Sequence, residues 1–207
     1  VTITGNLILK GGATGYTIYR STKKGSGFVK IGTAKKSAKK YVDKTTNELV
    51  VSGTGAIPDY ETVGPWYSLY KDKITKIIVS DGITRIGNNA FKGLTKVTEV
   101  SLGTSVREIG NNAFAACAGI KNVDIPVKVE KIGNGAFEDC ASIEKVSIPA
   151  NTSNIGDNAF NGCSSLGEVN IPASVTSIGK DAFKNTSKNT KIITEDLSYV
   201  VDCVDTV

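Results

Sequence analysis

The feature that most constrains this chain is a pair of short motifs that return every 23 residues. An Ile-Gly pair recurs five times at that interval, and an Ala-Phe pair follows each copy at a fixed distance. The Ile-Gly pairs begin at Ile86, Ile109, Ile132, Ile155 and Ile178, and the Ala-Phe pairs begin at Ala90, Ala113, Ala136, Ala159 and Ala182. A fixed period of this length is typical of solenoids, whose repeats stack on one another.

Upstream of the motifs, apolar residues are spaced as on a short strand with one buried face. The apolar sets are Ile74, Ile77 and Val79; Val97, Val100 and Leu102; Ile120, Val123 and Ile125; Ile143, Val146 and Ile148; Leu166, Val169 and Ile171; and an imperfect sixth, Ile192 with Thr194. Pro126, Pro149 and Pro172 follow three of these strands. Proline has no N–H to donate, so it predicts that the chain leaves the sheet there.

One coil of 23 residues cannot bury its own apolar edge, but stacked coils form continuous apolar ladders. Parallel strands lie about 4.8 Å apart, so six coils would extend roughly 25 to 30 Å. The glycine of each Ile-Gly pair is interpreted as a corner that needs positive φ or close backbone approach. Polar residues between the two motifs are interpreted as caps of a short helical turn that carries the Phe. They are Asn88, Asn89, Asn111, Asn112, Asn134, Asp157 and Asn158.

These motifs resemble the BspA-like leucine-rich repeat family, whose units have this length and a Val-x-x-Ile-Gly-x-x-Ala-Phe-x-x-Cys core. The resemblance covers about residues 48–194. It implies a β-rich leucine-rich-repeat solenoid of five 23-residue repeats, with short strands and short helical turns, preceded by a small β unit. Members of the family are typically extracellular or attached to the cell surface, and several are associated with adhesion.

The residues before the repeats carry two further resemblances. Ser52–Gly55, Pro58–Tyr60 and Pro65–Trp66 resemble the entry cap of the same family, and Trp66 is expected to pack in that cap. Upstream, the sequence is similar to part of a fibronectin type III module, with a hairpin predicted at Lys23–Gly27. The expected division is 1–47, a small basic β unit that is partly fibronectin type III-like; 48–73, the cap; 74–194, the solenoid; and 195–207, a C-terminal cap or tail.

Charge is distributed unevenly along the chain. Residues 1–47 hold ten Lys and Arg against one acid, and the rest holds fifteen against nineteen, giving net charges of +9 and −4. This basic patch includes Lys23, Lys24, Lys35, Lys36, Lys39 and Lys40. It could contact an anionic wall polymer, or it could be a solvated edge that discourages aggregation. No nucleic acid is expected as a partner, because the basic residues are confined to one segment without a recognised motif.

The composition argues against catalysis. The chain has no histidine, which removes the most common general base and transition-metal ligand. The Gly-rich turns at Gly25–Gly27 and Gly53–Gly55 lack the Lys-Ser pair and helix of a phosphate-binding loop. We therefore expect no enzyme activity, no catalytic residues, no cofactor and no metal.

Three of the four cysteines follow the repeat. Cys117, Cys140 and Cys163 recur at the 23-residue period. This spacing favours buried, reduced thiols over a disulfide or a metal site, since side chains in a ladder point in parallel. Cys203 lies outside the pattern and is predicted to be the reactive thiol or the one that pairs.

Outward-pointing positions of the strands are the candidate binding residues, because alternate side chains on a strand must leave the core. They are Glu99, Ser101, Asn122, Asp124, Lys145, Ser147, Glu168 and Asn170. Opposite charges are expected to face each other between Lys76 and Glu99, Lys145 and Glu168, and Glu168 and Lys191. This polar face, without aromatic residues, can accept a protein or glycan surface, but the same residues would also serve solubility.

The sequence thus predicts a secreted or cell-surface adhesion module that binds an extracellular protein or glycan through the solenoid surface. The alternative is a non-catalytic structural spacer of a cell-surface protein, with its basic N-terminal unit in contact with the wall. No stretch reaches the about 18 apolar residues of a transmembrane helix, so no transmembrane segment is expected. The sequence begins at Val1 without a basic, apolar leader, and we expect that any signal peptide has been removed or lies outside the given sequence.

Overall fold

The computed structural model describes residues 47–194 in full and, before them, the backbone of four strands. These strands are β1 (Leu7–Gly12), β2 (Gly15–Lys23), β3 (Ser26–Ala34) and β4 (Ala38–Asp43). The first three form an antiparallel sheet in the order β1-β2-β3. The pairing of Lys23 with Ser26 confirms the predicted hairpin.

The predicted strands of the repeats form one large sheet. Its members after β4 are β5 (Glu48–Gly53), β7 (Lys76–Val79), β9 (Glu99–Leu102), β11 (Asn122–Val123), β13 (Lys145–Ser147), β15 (Glu168–Ile171) and β17 (Lys191–Thr194). All neighbours from β5 to β17 pair in parallel, at a step of 23 residues between the repeats. At the other end, β4 pairs antiparallel with β5. The sheet therefore includes a strand that lies before residue 47, in the predicted basic unit.

The Ile-Gly motifs form a second parallel sheet that the sequence analysis did not predict. Its strands are β6 (Gly55–Ala56), β8 (Ile83–Ile86), β10 (Glu108–Ile109), β12 (Lys131–Ile132), β14 (Asn154–Ile155) and β16 (Ser177–Ile178). In most of them only two residues pair, with one isoleucine buried. Each coil therefore contributes a strand to two sheets, and the chain turns between them.

The core is a set of ladders between these sheets. The five Phe residues of the Ala-Phe motifs are at most 1 % exposed, and adjacent rings stack with centroids 5.1 to 5.3 Å apart. Trp66 lies at the end of this stack, 5.1 Å from Phe91, and is 4 % exposed. This confirms that Trp66 packs in the cap, where it covers the open end of the aromatic ladder.

The Ala-Phe segments, predicted as short helical turns, are turns closed by bonds between residues three apart. Within one coil the N–H of Cys117 donates to the carbonyl of Phe114 at 3.1 Å. The same segments also bond across coils, because the N–H of Phe114 donates to the carbonyl of Ala136 at 2.8 Å. In the described part of the chain, the one α-helix is α1 (Tyr67–Tyr70), which lies in the cap.

The polar residues after each Ile-Gly pair do not cap helical turns, which corrects the sequence interpretation. The side-chain oxygen of Asn88 accepts the N–H of Asn111 at 2.8 Å, and that of Asn111 accepts the N–H of Asn134 at 2.9 Å. Asn134 and Asp157 continue the series. The series therefore joins neighbouring coils by satisfying backbone donors at the corner.

The residue after each of these bridging positions adopts the left-handed conformation. Asn89, Asn112 and Asn158 have φ values of 55°, 51° and 54°. Asparagine tolerates this conformation better than most residues, since its short polar side chain can bond locally. The Asn-Asn pairs thus combine a residue that bridges coils with a residue that turns the chain.

The glycines of the Ile-Gly pairs are required because the backbone of the preceding coil lies very close to them. A β-carbon added at Gly133 would lie 2.7 Å from the backbone nitrogen of Asn111 in the preceding coil. The equivalent carbon at Gly179 would lie 2.2 Å from the backbone nitrogen of Asp157. Real β-carbons do not come this close to backbone atoms, so any side chain here would push two coils apart.

We predict that Gly133→Ala lowers the free energy of unfolding by about 1 to 3 kcal/mol, the usual effect of overpacking. Gly167→Ala is the matched control, because its added carbon would lie an ordinary 3.7 Å from the carbonyl oxygen of Glu144. The measurement is equilibrium unfolding in urea. Equal midpoints for the two variants would contradict the close-approach explanation.

Candidate binding surface

The predicted outward positions form two aligned columns on the large sheet. The ladder pairs Lys76 with Glu99, Glu99 with Asn122, Asn122 with Lys145, and Lys145 with Glu168. The second column runs through Ile78, Ser101, Asp124, Ser147, Asn170 and Ile193. All eight candidate residues are solvent-accessible: seven are exposed, and Glu168 is half-buried.

Charges in the first column neutralise one another in part. Lys76 Nζ lies 3.2 Å from Glu99 Oε2 and 3.8 Å from Glu48 Oε1. Lys145 Nζ lies 3.0 Å from Glu168 Oε1. Exposed pairs like these contribute about 0 to 1 kcal/mol each, so they adjust the charge of the face more than its stability.

The second column contains a carboxylate in a depression. Asp124 lies in an open depression of about 490 Å³ near the middle of the sheet. Its lining residues are Asn122, Val123, Asp124, Ile125, Lys145 and Ser147. Four of the eight predicted site residues are therefore brought together in one concave place.

The sheet is interrupted at this depression. The strands β7 and β9 pair over four residues, but β9 pairs with β11 over two and β11 with β13 at one position. Asp124, Ser147 and Asn170 are each followed by Ile-Pro, so proline does not distinguish the interrupted strand. The charged side chain of Asp124 distinguishes this strand from the others, because aspartate is poorly suited to a strand.

A second depression lies at the last coil. It also has a volume of about 490 Å³ and is lined by Ala150, Asn170, Ile171, Pro172, Ala173, Ser174, Ile193 and Thr194. Ile193, in the edge strand β17, is 49 % exposed. This depression is more apolar in its residues than the one at Asp124.

The small sheet has an outer face of its own, which the sequence analysis missed. Arg85 lies 2.8 Å from Asp59 and 3.2 Å from Glu108, and Arg107 lies 2.8 Å from Glu130. The signal was present in the sequence, because the two residues before each Ile-Gly pair are polar in every repeat. These side chains are occupied with one another, which favours a structural role for this face.

The three periodic cysteines are free and buried, as predicted. The thiol of Cys140 donates to the carbonyl of Phe114 at 3.1 Å, and Cys117 bonds in the same way to Phe91. Burial raises the pKa of Cys117 to about 12 and that of Cys163 to about 12. These thiols stay protonated at neutral pH and belong to the core.

The other predicted features fall partly outside the described residues. Lys24, Lys35, Lys36 and Cys203 lie outside them, and Lys23, Lys39 and Lys40 lie in strands described by their backbone alone. In the described part of the chain, no group of three or more acidic or cysteine side chains is placed to hold a metal ion. No helix there has the length and hydropathy needed to cross a bilayer.

Comparison with known families matches the repeat directly. A model of the BspA type leucine-rich repeat region matches residues 65–190 in six copies. The chain belongs to the BspA-type leucine-rich repeat family. The match begins at residue 65, so it gives no support to the fibronectin type III-like resemblance of residues 1–47.

Solved structures support the same fold for this BspA-type chain. A leucine-rich repeat protein of T. pallidum is 17 % identical, with a TM-score of 0.51, and the alignment covers 72 % of this chain and 86 % of that one. The pneumococcal vaccine antigen PcpA is 18 % identical, with a TM-score of 0.57 and coverage of 94 % and 51 %. No curated protein matches the sequence.

These findings establish a bacterial-type leucine-rich repeat solenoid, a fold generally used for interaction and typically non-catalytic. The function of such a fold depends on the residues of its surface, since one fold carries many activities. The outward columns and the depressions are therefore the candidate binding surfaces of this BspA-type chain.

The junction of cap and repeats gives a pH prediction. Asp59 accepts the N–H of Asn88 at 2.6 Å and Arg85 Nη1 at 2.8 Å. The Asn88 hydrogen bond lowers the pKa of Asp59 against the opposing effect of partial burial, and Arg85 lowers it further. A lowered folded pKa contributes stability above the unfolded value of about 3.9, and that stability is lost as pH falls through the folded pKa.

We therefore predict that Asp59→Asn unfolds at lower urea than the wild type at pH 7, and that the difference shrinks below about pH 4. Asp72→Asn, at an exposed position of the same cap, is the control for removing one negative charge. Urea midpoints measured from pH 7 to pH 3 provide the test. A difference that is constant over this range would show that Asp59 does not act through its charge.

Proposed function

We propose that this chain is a secreted or cell-surface interaction module that binds a protein or glycan through the outer face of the large sheet. The observation that carries the proposal is the depression at Asp124, where polar side chains of adjacent coils converge on an exposed sheet. On the outer face of the small sheet, the charged side chains largely form ion pairs with one another. Family membership and the extracellular setting typical of the family support the location.

The chemistry of the face favours recognition by hydrogen bonds. Its described central positions are Glu, Ser, Asn, Asp and Lys, which supply both donors and acceptors. The short Ser, Asn and Asp side chains of this face lose little conformational freedom when they bind, which lowers the cost of association. A partner with a polar, gently contoured surface fits this face best.

The N-terminal charge supports a second contact. With a net charge of +9, residues 1–47 are suited to an anionic cell-wall polymer, as the spacer alternative requires. This contact and strand-face binding are compatible, because they use different parts of the sequence. Salt sensitivity separates them, since a polymer contact made mainly by lysines weakens strongly as ionic strength rises.

The test is an array of extracellular matrix proteins, mucins and surface glycans, probed at physiological salt with two triple variants. The first, Ser101→Arg, Ser147→Arg and Asn170→Arg, adds bulk to the large sheet at exposed positions. The second, Thr84→Arg, Ser153→Arg and Thr176→Arg, adds the same charge at exposed positions in a strand of the small sheet or directly before one. Circular dichroism confirms that each variant is folded.

We expect saturable binding by the wild type and the small-sheet variant, and its loss in the large-sheet variant. Equal binding by both variants would show that the large sheet is not the binding surface. Binding that is lost in 0.5 M salt and unaffected by either variant would favour the wall-contacting spacer, because exposed charges are screened within about 4 to 5 Å at such ionic strength.

A further inference from the structure

We propose that the depression at Asp124 receives a lysine or arginine side chain of a protein partner. This inference rests on the proposed function and deepens it by naming the chemistry of the central contact. Three features support it: the charge of Asp124, the apolar lining of the depression and the interruption of the sheet.

Asp124 differs from the other acids of the face. Glu99 and Glu168 each lie within 4 Å of a lysine, at 3.2 and 3.0 Å. Among the described residues, the ion pairs do not include Asp124, although Lys145 lines the same depression. Because Lys145 pairs with Glu168, the depression keeps one uncompensated carboxylate.

The floor and the rim of the depression suit a long basic side chain. Val123 and Ile125 are its apolar lining residues and are 4 % and 9 % exposed. Lysine and arginine pack their methylene stems on apolar surface and keep the charged head in a polar place. Asp124, with the side-chain oxygens of Asn122 and Ser147 nearby, supplies acceptors for the donors of that head.

The ladder stops short of Asp124, whereas it includes the equivalent serines of the neighbouring coils. The equivalent residues in the neighbouring coils are Ser101 and Ser147, and β9 pairs with β7 over four residues where serine is present. Asp124 lies directly after β11 and outside the paired ladder, and none of the described ion pairs includes it. Residues that break a local rule without a structural gain are most often found at functional sites.

A protein partner is favoured over a glycan. The described residues that line the depression include no aromatic side chain that could stack on a sugar ring. A carboxylate beside hydrogen-bonding side chains suits the basic side chain of a protein better than an uncharged sugar.

The experiment selects a binder for the intact chain from displayed nine-residue peptides with a fixed central lysine or arginine. The enriched peptide is then synthesised with norleucine in place of lysine, or citrulline in place of arginine, which removes the charge and keeps the shape. Each peptide is titrated against the wild type, Asp124→Asn and Asp124→Ser. Glu138→Gln, in the turn that carries Phe137, is the control for loss of one negative charge elsewhere.

We expect Asp124→Asn and Asp124→Ser to weaken binding about 10-fold or more, as for a contact to a desolvated charge, and Glu138→Gln to leave it unchanged. The neutral peptide should bind the wild type as weakly as the charged peptide binds the Asp124 variants. The neutral peptide should bind the Asp124 variants with little further loss of affinity, because both changes remove the same contact. Asp124→Ser should also raise the urea midpoint of unfolding, since it restores the residue of the neighbouring coils. This last result shows that the lost binding is not caused by loss of the fold.

Equal affinity of the wild type and Asp124→Asn for the enriched peptide would overturn the inference. So would a neutral polysaccharide that competes with the peptide and loses its own binding in Asp124→Asn, because it would place a sugar in the depression. If array ligands bind the large sheet but no cationic peptide is enriched, the inference is wrong and the proposed function stands. If neither kind of ligand binds, both are wrong.

Discussion

Every feature of this molecule depends on the contact between one 23-residue coil and the next. No coil has a core of its own, so each buries its Phe, Ile and Val residues only against equivalent residues of its neighbours. The contact has four parts: two parallel sheets, the bonds across the Ala-Phe turns, the Asn bridges at the corner and the stacked Phe rings. All four require the same register, which explains why the period does not vary.

This constraint separates the residues that build the molecule from those that are free to act. The inward ladders and the Gly column leave no space for change, since a carbon added at Gly133 already meets the preceding coil at 2.7 Å. The outward positions carry no such restriction, and their composition changes from coil to coil. We propose that ligand specificity lies in the outward columns, where Asp124 is the one acid of the second column.

Much of the fold was predictable because period and alternation survive in the sequence. The large sheet, its outward columns, the buried cysteines and the packing of Trp66 all follow from spacing and residue type. The small sheet could not be predicted in this way, because strands such as Glu108–Ile109 are too short to show alternation. The role of Asn88 was misread, since a helix cap and a bridge between coils need the same side-chain oxygen. The depression at Asp124 depends on where pairing stops, which an outward Asp alone does not reveal, and the division of the chain into domains stays a prediction.

The account is tested most directly by deleting one coil and comparing it with a deletion that is one residue shorter. Removing residues 119–141 takes out one full period and joins Ala118 to Ser142, which brings Phe114 against Phe160 in register. The account predicts that this protein folds and unfolds cooperatively in urea, at a lower midpoint because one interface between coils is lost. Removing residues 119–140 shifts every inward side chain of the following coils, so cooperative unfolding should be lost. Two deletions that unfold alike would contradict the claim that the register between coils holds the molecule together.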